Sequence, residues 1–183
     1  MKRHHGFSAA ETLVVLAISV ILLGMAVPDL LALAKRQQLK AGVTDLLGAI
    51  NLARSEAIAR GQRVELVPLD PAGANWRLGW VVFVDGDGNR RPDAGEDVIA
   101  RHGALPEGIR IDAVFSSHQQ PDYIAYNGAG RSCSATSSAA ARWGTLSLLQ
   151  GRETRRIKIN MLGRARVCDP RQDNVGCSGA DDP

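Results

Sequence analysis

The stretch Phe7–Val27 runs 21 residues with Glu11 as its single full charge. At about 1.5 Å per helical residue this matches the hydrocarbon thickness of a bilayer, so the segment is long enough to span one. Lys2 and Arg3 precede it, and the positive-inside rule then keeps the N-terminus cytoplasmic and sends the chain beyond residue 28 outward. A carboxylate in hydrocarbon costs on the order of 3 kcal/mol on insertion scales, which marks Glu11 as a functional residue in need of a partner. The plainer alternatives are a snorkelling acid with no role and a secretory signal peptide cut near "GMAVP". The signal peptide must account for an unusually long apolar run with an acid at its entrance.

The remaining chain amounts to about one domain, long enough to bury a core. Apolar residues make up 45% and aromatics 4%, which indicates neither disorder nor a polytopic membrane protein. The net charge of +3 includes Lys2 and Arg3, so the total says little about partners. Its distribution says more, because Arg142, Arg152, Arg155, Arg156, Lys158, Arg164 and Arg166 stand against Glu153 alone between residues 142 and 166. Cys133, Cys168 and Cys177 are an odd count without zinc-site spacing; they fit one disulfide and a spare thiol, with Cys168–Cys177 the expected bridge. An exported domain permits that bridge.

Pro28 is expected to bend the helix at the end of the spanning run. Beyond it Leu39, Val43, Leu46, Ile50, Ala53 and Ala57 recur at steps of four and three, an apolar stripe suited to packing against the protein's own sheet. Gly61 is the expected C-cap. The period then changes to two, predicting strands at 62–68, 76–84, 97–102, 109–114, 122–127, 143–149 and 155–161, mostly antiparallel and packed on the helix. Val81–Val84 is continuously apolar and predicts a central strand, with Trp76 and Trp80 as its core residues.

The opening "RHHGFSAAE" resembles the cleavage motif of type IV prepilins. The resemblance implies a leader ending at Gly6, cleavage by prepilin peptidase, N-methylation of Phe7 as the new terminus, and Glu11 as the fifth mature residue. Ser8, Ala9 and Ala10 depart from the usual Phe-Thr-Leu-Ile-Glu but keep its spacing. "LARSEAIARGQRV", residues 52–64, is similar to the end of the long helix in the GspH/FimT family of minor pilins and pseudopilins, with Arg54, Ser55, Glu56 and Ala57 at its core, and "GWVVFVD" lies downstream. Membership implies an α+β type IV pilin-like fold: leader 1–6, transmembrane and assembly helix 7–28, amphipathic stalk 29–61, and a periplasmic β-rich head 62–183. It also implies inner-membrane anchoring and assembly with other pilin or pseudopilin subunits in a pilus or pseudopilus. Glu11 then meets the Phe7 ammonium of a neighbouring subunit, each offsetting the other's desolvation only in the right axial register.

"DGDGNRRPDAGE" places Asp85, Asp87, Asn89, Asp93 and Glu96 at positions one, three, five, nine and twelve of an EF-hand-like loop. Arg90 stands where the sharp turn calls for Gly, and both flanks read as strands. The choice is between a calcium ion and a solvated turn that caps its own backbone. No Gly-x-Ser-x-Gly elbow, phosphate loop or HExxH motif is present, so an enzyme is not expected.

From Arg156 to Arg166 cations alternate with apolar residues, which in extended chain puts the charges on one face, with Gly163 turning the chain between two short strands. "GRAR" at 163–166 matches a Gly-Arg-x-Arg motif of FimT-type pilins, and the resemblance implies contact of Gly163, Arg164 and Arg166 with double-stranded DNA during natural transformation, to which the basic strip would add Arg155, Arg156 and Lys158. Arginine forks suit phosphates. The alternative is a solvated strand face, or one paired with acidic neighbours such as the 85–97 loop. A type II secretion pseudopilin shares the fold and processing, and a periplasmic binding domain behind an ordinary signal sequence is the reading from another class.

Overall fold

The computed structural model describes residues 9–173 and 175–178, so Gly6 and Phe7, the expected cleavage and methylation positions, lie outside the described residues. Helix α1, Ala9–Arg60, contributes to two compact units that divide after Gln37. In the first unit Leu13, Val14, Leu16, Ile18 and Leu22 are exposed, and the helix is long and apolar enough to cross a membrane. Thr12 and Ser19 turn their hydroxyls back onto the carbonyls of Ala9 and Val15 at 2.9 and 2.8 Å, which takes two donors off the apolar surface. The helix continues through position 28, so Pro28 does not end the element.

In the second unit the stripe predicted from its spacing is the core-facing side of α1: Leu39, Val43, Leu46, Ile50, Ala53 and Ala57 are all buried. Gly61 ends the helix at φ 65°, its amide donating to Ile58 O while the Gln62 amide donates to Ala57 O, both at 3.3 Å. This is the left-handed closure that favours glycine.

Among the described residues nine strands succeed the helix: β1 Val64–Pro68, β2 Trp80–Phe83, β3 Val98–His102, β4 Ile109–Phe115, β5 Ile124–Tyr126, β6 Ser132–Cys133, β7 Gly144–Gln150, β8 Glu153–Ile159 and β9 Ala165–Cys168. They form two antiparallel sheets, ordered β3-β2-β1-β5-β6 and β4-β7-β8-β9. One core joins the helix stripe to Val64, Leu66, Val82 and Ile124 of the first sheet and to Ile111, Leu146, Leu148 and Ile157 of the second. The opposite face of the first sheet is buried as well, in a cluster of Val67, Val81, Phe83, Tyr123, Ala125 and Cys133. Burial on both faces explains why β2 reads as a continuous apolar run rather than an alternation.

Two details differ from the expectations set by the sequence. Trp76 is not on a strand but in a single 3-10 turn, Trp76–Leu78, capped by Asn75 Oδ1 accepting from the Arg77 amide at 3.1 Å. Its ring is buried nonetheless, with Nε1 donating to Asp122 at 3.3 Å. Cys133, which lies outside the strands predicted above, falls in β6, a two-residue edge on β5.

Arg142 and Glu65 are charged side chains buried within this packing. Arg142 lies between the Phe115 and Tyr123 rings, 3.9 and 4.0 Å from their centroids, and donates to Ser117 Oγ at 3.1 Å and to the Tyr123 carbonyl. Glu65 in β1 is fully buried, with Arg63 Nε 3.0 Å from Oε1. Burial first, and then the nearby Asp85 carboxylate, push Glu65 up to about 7 against the opposing pull of Arg63 and Arg90. Cys133 carries a free buried thiol, raised to about 11 by the same desolvation.

Candidate nucleic-acid interface

The basic strip folds as a hairpin. β8 and β9 pair Lys158 with Arg166 and Arg156 with Cys168, so these side chains share the face of the second sheet turned away from the helix. Ile157 and Ile159, in the opposite phase, are buried against the core. The turn closes with the Asn160 amide on Arg164 O at 3.0 Å and the Gly163 amide on Asn160 O at 2.9 Å. Asn160 Oδ1 accepts from the amides of Leu162 and Arg164 at 3.1 and 2.9 Å.

Gly163 is required twice over. Its φ is 80°, and an added Cβ would stand 2.3 Å from Gly130 O, 2.9 Å from Tyr126 Cε1 and 3.1 Å from Ser132 N. The same Gly130 carbonyl accepts from Arg54 Nε at 2.9 Å, and Arg54 Nη2 reaches Leu162 O at 3.4 Å. One arginine of the helix motif therefore holds both the 127–131 loop and the turn that carries "GRAR". Its motif neighbour Glu56 pairs with Arg60 at 2.7 Å, and Ala57 is fully buried.

The disulfide between Cys168 and Cys177 folds the C-terminal loop back over the strip. Arg156 Nη1 donates to Cys177 O at 2.7 Å, Lys158 Nζ to Ser178 O at 2.8 Å and Gly176 O at 3.4 Å, and Arg166 to Gly176 O. Neutral carbonyls fix the Lys158 and Arg166 head groups without cancelling their charge. Arg155, one residue out of phase, is different: it pairs with Asp169 at 2.8 Å and approaches Glu153 at 3.7 Å. Arg164 is exposed, and its guanidinium has no partner among the described residues.

Lys158, Arg164 and Arg166 line a groove of about 480 Å³ with Asn160 and Trp143, and no acidic side chain among the described residues borders it. Trp143, 44% exposed, is a member of the groove that sequence reasoning did not single out. Its place immediately before β7, beside a basic stretch, was the available signal. The acidic 85–97 loop supplies none of the hydrogen-bond and ion-pair partners just named for the strip.

That loop instead satisfies itself. The carboxylates of Asp85, Asp87 and Glu96 offer oxygens within 4.8 Å of one another. Asp85 accepts from the amides of Gly88 and Arg90 at 2.7 and 3.0 Å, and Glu96 from those of Gly86 and Asp93 at 2.8 and 3.0 Å. Asn89 Nδ2 bridges Asp87 and Asp93 at 2.8 and 2.5 Å. Arg90 takes the left-handed conformation at φ 62° and donates to Gln120 O at 3.0 Å. Backbone capping of this kind is what a polar turn does unaided, although the oxygens are of the type calcium prefers.

Known proteins resemble this chain in sequence and in fold. Residues 43–163 match the family described as type II transport protein GspH. A curated relative, the pilin-like protein PilA1 of Thermus thermophilus, is 33% identical over 165 residues, covering 88% of this chain and 97% of the relative. Two crystal structures of the type IV minor pilin FimU of Pseudomonas aeruginosa superpose with TM-scores of 0.57 and 0.54 at 16% and 15% identity. They cover 74% and 72% of this chain, and 92% and 94% of FimU.

Proposed function

The chain belongs to the GspH family and is a minor pilin or pseudopilin, a structural subunit rather than an enzyme; from that premise we propose that it serves a type IV pilus and that its head captures DNA. The observation carrying the DNA reading is the groove in which Lys158, Arg164 and Arg166 converge with no acid beside them among the described residues. Two of these cations are already positioned by loop carbonyls, so little side-chain entropy is lost when a phosphate replaces water. The pilus reading is supported by the relative's description as pilin-like and by the match of "GRAR" to the FimT-type motif.

The full-length protein in detergent should retard duplex DNA without sequence preference, with affinity falling steeply as salt rises. Arg164→Ala combined with Arg166→Ala should weaken binding about tenfold or more and flatten the salt dependence by about two phosphate contacts, read by fluorescence anisotropy across a salt series. Unchanged affinity and slope in the double variant would remove the DNA reading.

Assembly is proposed to proceed by cleavage after Gly6 and methylation of Phe7, with Glu11 answering the freed amine of the next subunit across the apolar layer. The leader side is cytoplasmic and the head periplasmic. Mass spectrometry of the purified subunit should find N-methyl-Phe7 at its start. Glu11→Gln should leave the protein in the membrane while cutting its recovery in sheared filaments to about a tenth or less, as loss of a partner from a buried ion pair costs several kcal/mol. A mature start near residue 27, or normal filament recovery of the variant, overturns this route.

A further inference from the structure

We propose that Trp143 is a stacking platform for an unpaired base, so that the groove binds single-stranded nucleic acid in preference to duplex. This rests on the DNA reading of the groove and assigns it a ligand form. Trp76 and Trp80 are 0% and 2% exposed, as expected of large aromatic rings, whereas Trp143 leaves 44% of its surface open. Its backbone is anchored on both sides. Its amide donates to Ser116 Oγ at 3.2 Å, and its carbonyl accepts from the Ser116 amide at 2.8 Å. The residue before it is the buried Arg142, and the residue after it opens β7.

The indole borders two depressions. One is the basic groove shared with Lys158, Asn160, Arg164 and Arg166, and the other, of about 220 Å³, lies toward Val114, Phe115 and Thr145. Lys158 borders both. An exposed aromatic ring on an anchored backbone next to several cations is the arrangement by which single strands are held: phosphates on the charges, one base on the ring. In duplex DNA the base faces are stacked on one another and only their edges are presented, so the indole adds nothing there. Charge alone therefore serves either form, while the ring favours the unpaired one.

The experiment compares a single-stranded oligonucleotide of about 12 nucleotides with a duplex of the same length, at matched salt, on the full chain in detergent. The single strand is expected to bind about tenfold more tightly and to quench the fluorescence of the one exposed tryptophan. Trp143→Ala should remove that advantage and the quench while changing duplex affinity less than about twofold, and Trp143→Phe should restore most of the affinity without the signal. Equal binding of the two forms by the parent, or loss of both forms in Trp143→Ala, overturns the stacking site and leaves the DNA reading standing. If Arg164→Ala with Arg166→Ala leaves both affinities at the parent value, the DNA reading itself falls, and the stacking site with it.

Discussion

Alanine at position 163 is expected to lower the thermal midpoint of the full chain by about 10 °C, read by circular dichroism in detergent. The left-handed conformation at φ 80° costs an L-residue about 1–2 kcal/mol. The new methyl would also press on Gly130 O at 2.3 Å, an atom that cannot yield without disturbing its bond from Arg54. Together these amount to about 3 kcal/mol, at about 2–4 °C per kcal/mol for a domain of this size. Gly151→Ala separates the two contributions, because Gly151 also has positive φ, 60°, but faces open space. If the two variants melt together, the contact with the 127–131 loop contributes nothing. The same displacement moves Arg164, so Gly163→Ala should also lose DNA affinity where Gly151→Ala does not.

Glu65→Gln is expected to stabilise the head at pH above about 7 by up to about 3 kcal/mol and to leave it unchanged below about pH 4. The carboxyl titrates near 7 in the folded head against an ordinary value of 4.5. Between those values the folded state holds a proton that the unfolded chain has released, so stability is full below the lower value and drains away as pH rises through the upper one. The groups facing this carboxyl are Asp85, which adds to the penalty, and Arg63 and Arg90, which reduce it. Glutamine keeps the shape and removes the ionisation. Chemical unfolding of parent and variant at a series of pH values should give curves that meet below about pH 4, separate between the two values and reach their full separation above about 7. Parallel curves would show that Arg63 fully compensates the buried charge.

The helix and most strands were legible because burial on one face leaves a period, as in Leu39 to Ala57 or in the alternation of Arg156 to Arg166. Where burial is two-sided, as at Val81–Phe83, the period vanishes but continuity itself is informative. The division into two sheets was not legible, since pairing partners such as Leu66 and Ile124 are far apart in sequence and nothing local chooses between them. Trp76 shows the limit of pattern: its burial was legible and its secondary structure was not, because a 3-10 turn and a strand end place a ring in the same core. At the candidate groove, the charges were visible in sequence but their company was not. Trp143 comes from the entrance to another strand, Arg54 from the helix, and the carbonyls that hold Lys158 and Arg166 from a loop closed by a disulfide. No spacing rule connects these.

The odd thiol of Cys133 has a consequence for handling the protein. Folded, it is shut away and mostly protonated, so it cannot attack the Cys168–Cys177 bridge. Once the head opens, that shelter ends and three sulfurs compete for two places in one bond. Unfolding at alkaline pH thus turns a reversible transition into a shuffling reaction, and the chain's endurance there is set by how seldom it opens rather than by how favourable the closed state is.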